Sequence, residues 1–164
     1  MVTGSRATQR GRASSEEVDA VLDACRSLVA ISVRSLAAVS AQVDVVQLRV
    51  LVVVASRGSV SLGEAADATG ITLSKASRTC DRLVGMRLLA RADDPSDRRS
   101  LKLTLTPAGR RVVRRVTRAR RDAITPMVDA MSLVQRDVLV STLRVFTAQA
   151  EPESRELWAM GWET

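Results

Sequence analysis

Residues 60–106 read VSLGEAADATGITLSKASRTCDRLVGMRLLARADDPSDRRSLKLTLT, and the rest of the chain is arranged around them. Ser61 and Glu64 have the spacing of a capping box, so a short helix starts there with Leu62, Ala65 and Ala66 on its buried side. Gly70 suits the left-handed backbone that closes a helix. Thr72 then caps a second helix to about residue 87, whose apolar side is Ala76, Cys80, Leu83 and Val84 at steps of three and four. Its other side carries Ser74, Lys75, Ser77, Arg78 and Arg82. Small hydroxyls beside cations near a helix N-terminus suit base edges and phosphates in a major groove. Residues 88–91 and 101–105 are strand candidates, the second alternating Leu101, Leu103, Leu105 against Lys102 and Thr104. Between them lies a polar turn, Asp93 to Arg99, with its arginines on the far side, where a hairpin could place one in a minor groove.

Outward from this block the pattern is helical. Asp44 and Gln47 cap a segment, VVQLRVLVVVA, that is apolar nearly all round; its valines favour a strand, but its length, its cap and Gly58 beyond it favour a buried helix. Upstream, Ser14 and Glu17 begin a long helix with an apolar stripe of Val18, Val21, Leu22, Cys25, Leu28, Val29, Val33, Leu36 and Val43. One small domain cannot cover that much apolar surface, which points to a partner subunit. Downstream, Thr106 and Pro107 open a helix to about residue 131, with arginines on the face away from Val112, Val113 and Val116. Pro126 is expected to kink or break it. Ser132 and Gln135 cap a last helix through residue 150, and the tail holds both tryptophans, Trp158 and Trp162. The chain thus divides into a flexible basic arm (1–13), a long helix with an apolar stripe (14–43), a lobe suited to DNA (44–106), C-terminal helices (107–150) and a tail (151–164).

Composition agrees with a charged-ligand binder. Of 164 residues, 46% are hydrophobic and only 2% aromatic, so the core must be built of Val, Leu, Ile and Ala. Net charge is +7. Between Lys75 and Arg121 stand fifteen basic residues against four acids, a surplus placed where a polyanion would dock. No apolar run approaches the ~18 residues of a membrane span, and the N-terminus has no apolar signal core, so a cytoplasmic location is expected. There is no histidine, no Gly-rich phosphate loop and no metal-binding spacing around Cys25 and Cys80; no metal, cofactor or catalysis is expected. Thr72-Leu73-Ser74-Lys75 echoes S-x-x-K but has threonine where that nucleophile stands, inside a helix start.

The block from about residue 44 to 110, with Asp97-Arg98-Arg99 followed by a strand and LTPAG, resembles the MarR family of winged helix-turn-helix regulators, and the flanking helices resemble it more loosely. The resemblance implies a mainly α fold with a small β-hairpin wing: a winged helix-turn-helix lobe plus N- and C-terminal dimerisation helices. It implies a homodimer on a palindromic operator in double-stranded DNA, acting as a repressor released by a small-molecule effector. Ser74, Lys75 and Arg78 are expected at base edges, with Thr72 and Ser77 at phosphates. By resemblance Arg99 enters the minor groove, Asp97 orients it and Arg98 adds a phosphate contact. Arg34, Ser35 and Arg49 are the candidates for holding an effector. Cys25 is the candidate for a thiol-switch variant of the same function. A non-specific architectural DNA binder and a protein-interaction module are the rival readings.

Overall fold

The computed structural model of the chain describes residues 12–93 and 101–149, which form six helices and one three-stranded sheet. Helix α1 (Ser15–Leu36) starts at a complete capping box: the Glu17 N–H donates to Ser14 Oγ at 3.2 Å, and the Ser14 N–H donates to the Glu17 carboxylate at 2.7 Å. Asp44 and Gln47 do the same for α2 (Val45–Arg57), and Ser61 and Glu64 for α3 (Leu62–Thr69). Thr72 caps α4 (Leu73–Gly85) and Thr106 caps α5 (Pro107–Asp129). Helix α6 (Leu133–Gln149) follows a fourth turn of this type, in which Ser132 and Gln135 bond each other's backbone N–H. Such boxes satisfy donors that a helix start would otherwise leave open.

Helix α2 is the centre of the lobe. Leu48, Val50, Leu51 and Val54 are essentially removed from solvent, so the valine-rich segment is a helix buried on most sides despite its strand propensity. Gly58 closes it with a φ of 75°. The buried sides of α3 and α4, and Val112, Val113 and Val116 of α5, pack around it.

The sheet holds one strand more than the hairpin read from the sequence. Strand β1 (Ser59–Val60) pairs with β3 (Leu101–Leu105), which also pairs with β2 (Leu89–Asp93), giving the antiparallel order β1-β3-β2. Val60 lies opposite Leu103, and Leu89 opposite Leu105, so the inward row of β3 joins the core.

Three further expectations change. The first helix stops at Leu36 rather than running to Val43: Ala37, Ala38 and Val39 each donate to the carbonyl three residues back, a tighter winding that turns Val39 and Val43 into the core. Helix α5 continues through Pro126 to Asp129 without breaking. Arg120 leaves the arginine face altogether and is 3% exposed.

Candidate nucleic-acid interface

Helix α4 presents its N-terminus outward because three local features fix its start and its roll. Gly70, at φ 65° and ψ 33°, ends α3; the Ile71 N–H reaches the Ala66 carbonyl and the Gly70 N–H reaches that of Asp67. Thr72 Oγ1 then accepts from the Lys75 N–H at 3.4 Å and lies 3.4 Å from Ser74 Oγ. Ala76, Cys80 and Leu83 pin the helix to the core. This leaves Thr72, Ser74, Lys75 and Arg78 exposed on one rim, with Ser77 half-buried beside them. The five candidate contact residues of α4 thus share one surface, at the end where the helix dipole favours an anion.

The root of the wing is tied to this helix. At the C-terminus of α4 the Leu88 N–H donates to the Leu83 carbonyl and the Arg87 N–H to that of Val84, both at 2.9 Å. Asp81 of α4 pairs with Arg91 of β2. Lys102 of β3 meets Glu64 of α3 at 3.2 Å. The Ser61 backbone and hydroxyl, then Lys102, hold the Glu64 carboxyl down to about 2, so it stays ionised at neutral pH. Thr106 Oγ1 donates to the Arg87 carbonyl at 2.7 Å, and Gly109 of α5 sits against the Leu88 carbonyl, where an added Cβ would be 2.1 Å from the oxygen. Here the LTPAG motif acquires its geometry: the threonine hydroxyl and the absent side chain bring α5 against the end of α4. The wing-tip candidates Asp97, Arg98 and Arg99 lie outside the described residues, as do residues 1–11 and the tryptophan-bearing tail.

Helix α5 carries a charged face of its own. Arg111, Arg114, Arg118 and Arg121 face outward on it, opposite Gly109, Val112, Val113 and Val116. Arg110 and Arg115, at the margins of that stripe, donate to the carbonyls of Leu105 and Ala38.

The effector candidates are not equivalent. Arg34 is exposed and Arg49 half-buried, whereas Ser35 is buried, donating to the Ser32 carbonyl at 2.6 Å and accepting from Arg120 Nε at 3.1 Å. An open apolar groove lined by Ala13, Glu17, Val18, Val21, Leu22 and Phe146 contains none of the three. Arg120 is the residue that sequence reading passed over, although it lies four residues beyond Val116 on the same stripe; burial lowers its pKa. Cys80 is buried, and desolvation raises its thiol pKa, as for a core residue. Cys25 is free and exposed on α1. Among the described residues no cluster of His, Cys, Asp or Glu fits a metal, and no helix is long and apolar enough to cross a membrane.

Residues 41–100 match a family model described as MarR family. Among solved structures the chain is similar to RV1404 from Mycobacterium tuberculosis, with 39% identity, a TM-score of 0.75, and coverage of 85% of this chain and 97% of that one. It is similar to BpsR from Bordetella bronchiseptica at 26% identity and TM-score 0.54, over 86% of this chain and all of the other. The transcriptional regulator Tm0710 from Thermotoga maritima, 19% identical over 82% of this chain and 94% of that one, shares the fold at a TM-score of 0.68. No curated protein matches the chain.

Proposed function

The chain belongs to the MarR family of transcriptional regulators, and from that premise we propose that it binds a twofold-symmetric DNA operator as a homodimer and represses transcription until a small ligand releases it. The observation that carries this reading is the outward N-terminal rim of α4, with Thr72, Ser74, Lys75 and Arg78 exposed on a helix that is otherwise locked to its lobe. Ser74, Lys75 and Arg78 address base edges, and Thr72 and Ser77 address phosphates. The wing supplies Arg99 to the minor groove, oriented by Asp97, with Arg98 at a neighbouring phosphate.

A partner subunit is supported by what one chain leaves uncovered. Val18, Leu22, Val29 and Val33 of α1 are exposed on a single face, and no residue of α6 is buried. Cys25 lies on that face between Leu22 and Val29, so the partner would cover it; the thiol-switch alternative is therefore the weaker reading. The similar protein BpsR is one whose DNA binding is regulated by 6-hydroxynicotinic acid. An anionic aromatic effector of that class, anchored near Arg34 or Arg49, is the corresponding proposal for this chain.

The test is selection of duplexes from a random pool by the purified protein. The expected product is a palindrome whose half-sites lie about one helical turn, ~10 bp, apart. Retention of all duplexes alike at matched salt would instead identify an architectural binder, and absence of salt-sensitive binding would remove DNA as the partner.

A further inference from the structure

We propose that Leu73 reads the C5-methyl group of a thymine, which makes it a specificity-determining residue of the operator contact; this rests on the DNA-binding reading above. Leu73 is the first residue of α4 and is 58% exposed. Its neighbours on the rim are Thr72, Ser74 and Lys75, all exposed, with Ser77 one turn further on. It is not among the partly buried hydrophobic residues that lean on the core, which are Leu36, Leu62, Val84 and Ala108. The lobe therefore uses Ala76, Cys80 and Leu83 to hold this helix and leaves Leu73 facing solvent.

The chemistry of the major groove narrows what such a side chain can meet. Base edges there offer hydrogen-bond donors and acceptors, which the hydroxyls and cations of the rim can match, and a single apolar group, the thymine methyl. A leucine pressed against the amino group of cytosine would strip water from a donor and return no bond. Against thymine it gains the burial of a methyl while Ser74 and Lys75 keep the polar edges. Thymine over cytosine at one position per half-site is the expected preference.

Deoxyuridine differs from thymidine by that methyl alone, so it isolates the contact. Duplexes enriched by the random-pool selection are resynthesised with each thymidine replaced in turn by deoxyuridine. For the wild-type protein one symmetric pair of positions should weaken binding about fourfold per half-site, the value of one buried methyl, and about fifteenfold together. Leu73→Ala should bind the thymidine and deoxyuridine duplexes equally at those positions. Its helix content and its salt slope should match wild type, since Leu73 touches no phosphate. The proposal is overturned if no thymidine in the selected duplex responds, or if Leu73→Ala keeps the wild-type ratio. It is also overturned if the variant's defect is a loss of self-association. Should the wild-type protein enrich nothing and bind without salt dependence, the DNA-binding reading itself fails, a result distinct from the other three.

Discussion

Two positions around the end of α4 show how a single residue sets the angle of the wing. Helices α3 and α4 close with the same pair of hydrogen bonds, but the left-handed residue is Gly70 in one and Arg87, at φ 57°, in the other. A side chain in that conformation costs about 1 kcal/mol, because its Cβ crowds the following carbonyl. Arg87→Gly should therefore raise stability by up to about 1 kcal/mol, less whatever the freer unfolded chain takes back. The check is a higher urea midpoint at unchanged m-value. The opposite sign holds 22 residues on. Gly109 has backbone within 2.1 Å of where a Cβ would sit, so the oxygen of Leu88 and the first turn of α5 would have to separate. Gly109→Ala should cost about 2–3 kcal/mol as overpacking. The fraction that still folds should bind operator more weakly, because the strand carrying the wing is bonded to that same turn. A variant with wild-type stability would mean that the close approach does not exist in solution.

At the level of elements, what was legible in the sequence was what is local. The capping pairs Ser14/Glu17, Asp44/Gln47, Ser61/Glu64 and Ser132/Gln135 all form, because a box is closed within one turn and needs nothing from elsewhere. The apolar sides of α2 and α4 follow from spacing in the same way, and so does the surface that gathers Thr72, Ser74, Lys75, Ser77 and Arg78. Strand β1 was illegible: two residues carry no periodicity, and its partners in β3 lie more than 40 residues away. Arg120 was obscured by its own chemistry, because it stands in an arginine series while its position belongs to the Val112–Val116 stripe. Its bond to Ser35 joins α5 to α1, and this makes the role of Ser35 testable. Ser35→Ala removes a buried acceptor from a charged group and should cost about 1–3 kcal/mol without any ligand present. If Ser35 served only an effector, thermal unfolding of the free protein would not change.

For the whole molecule, the unresolved balance is between a lobe that closes its own core and helices that do not. Ile31 and Ser35 turn one side of α1 into the lobe, while Val18, Leu22, Val29 and Val33 occupy another side, with Val33 61% exposed. On α6, Val134, Val138 and Val145 are more than half exposed. Apolar area on this scale is usually covered, and a second copy of the chain would both cover it and fix the distance between two α4 rims. Unfolding should then depend on protein concentration, the midpoint rising as the protein is made more concentrated, because association stabilises only the folded state. Val29→Glu combined with Val33→Glu places charges on the uncovered face, at its two most exposed valines. The expected product is a monomer, by sedimentation, with the lobe's helix content retained. Its affinity for the full operator should fall by about a thousandfold or more, towards that for unrelated duplex. The single rim of that monomer would still read a half-site, so the loss comes from the missing second rim and the fixed spacing, not from the chemistry of α4. A monomer that bound the full operator as tightly as wild type would break the link between the apolar faces and the reading of symmetry, and would leave α1 and α6 in need of a different partner.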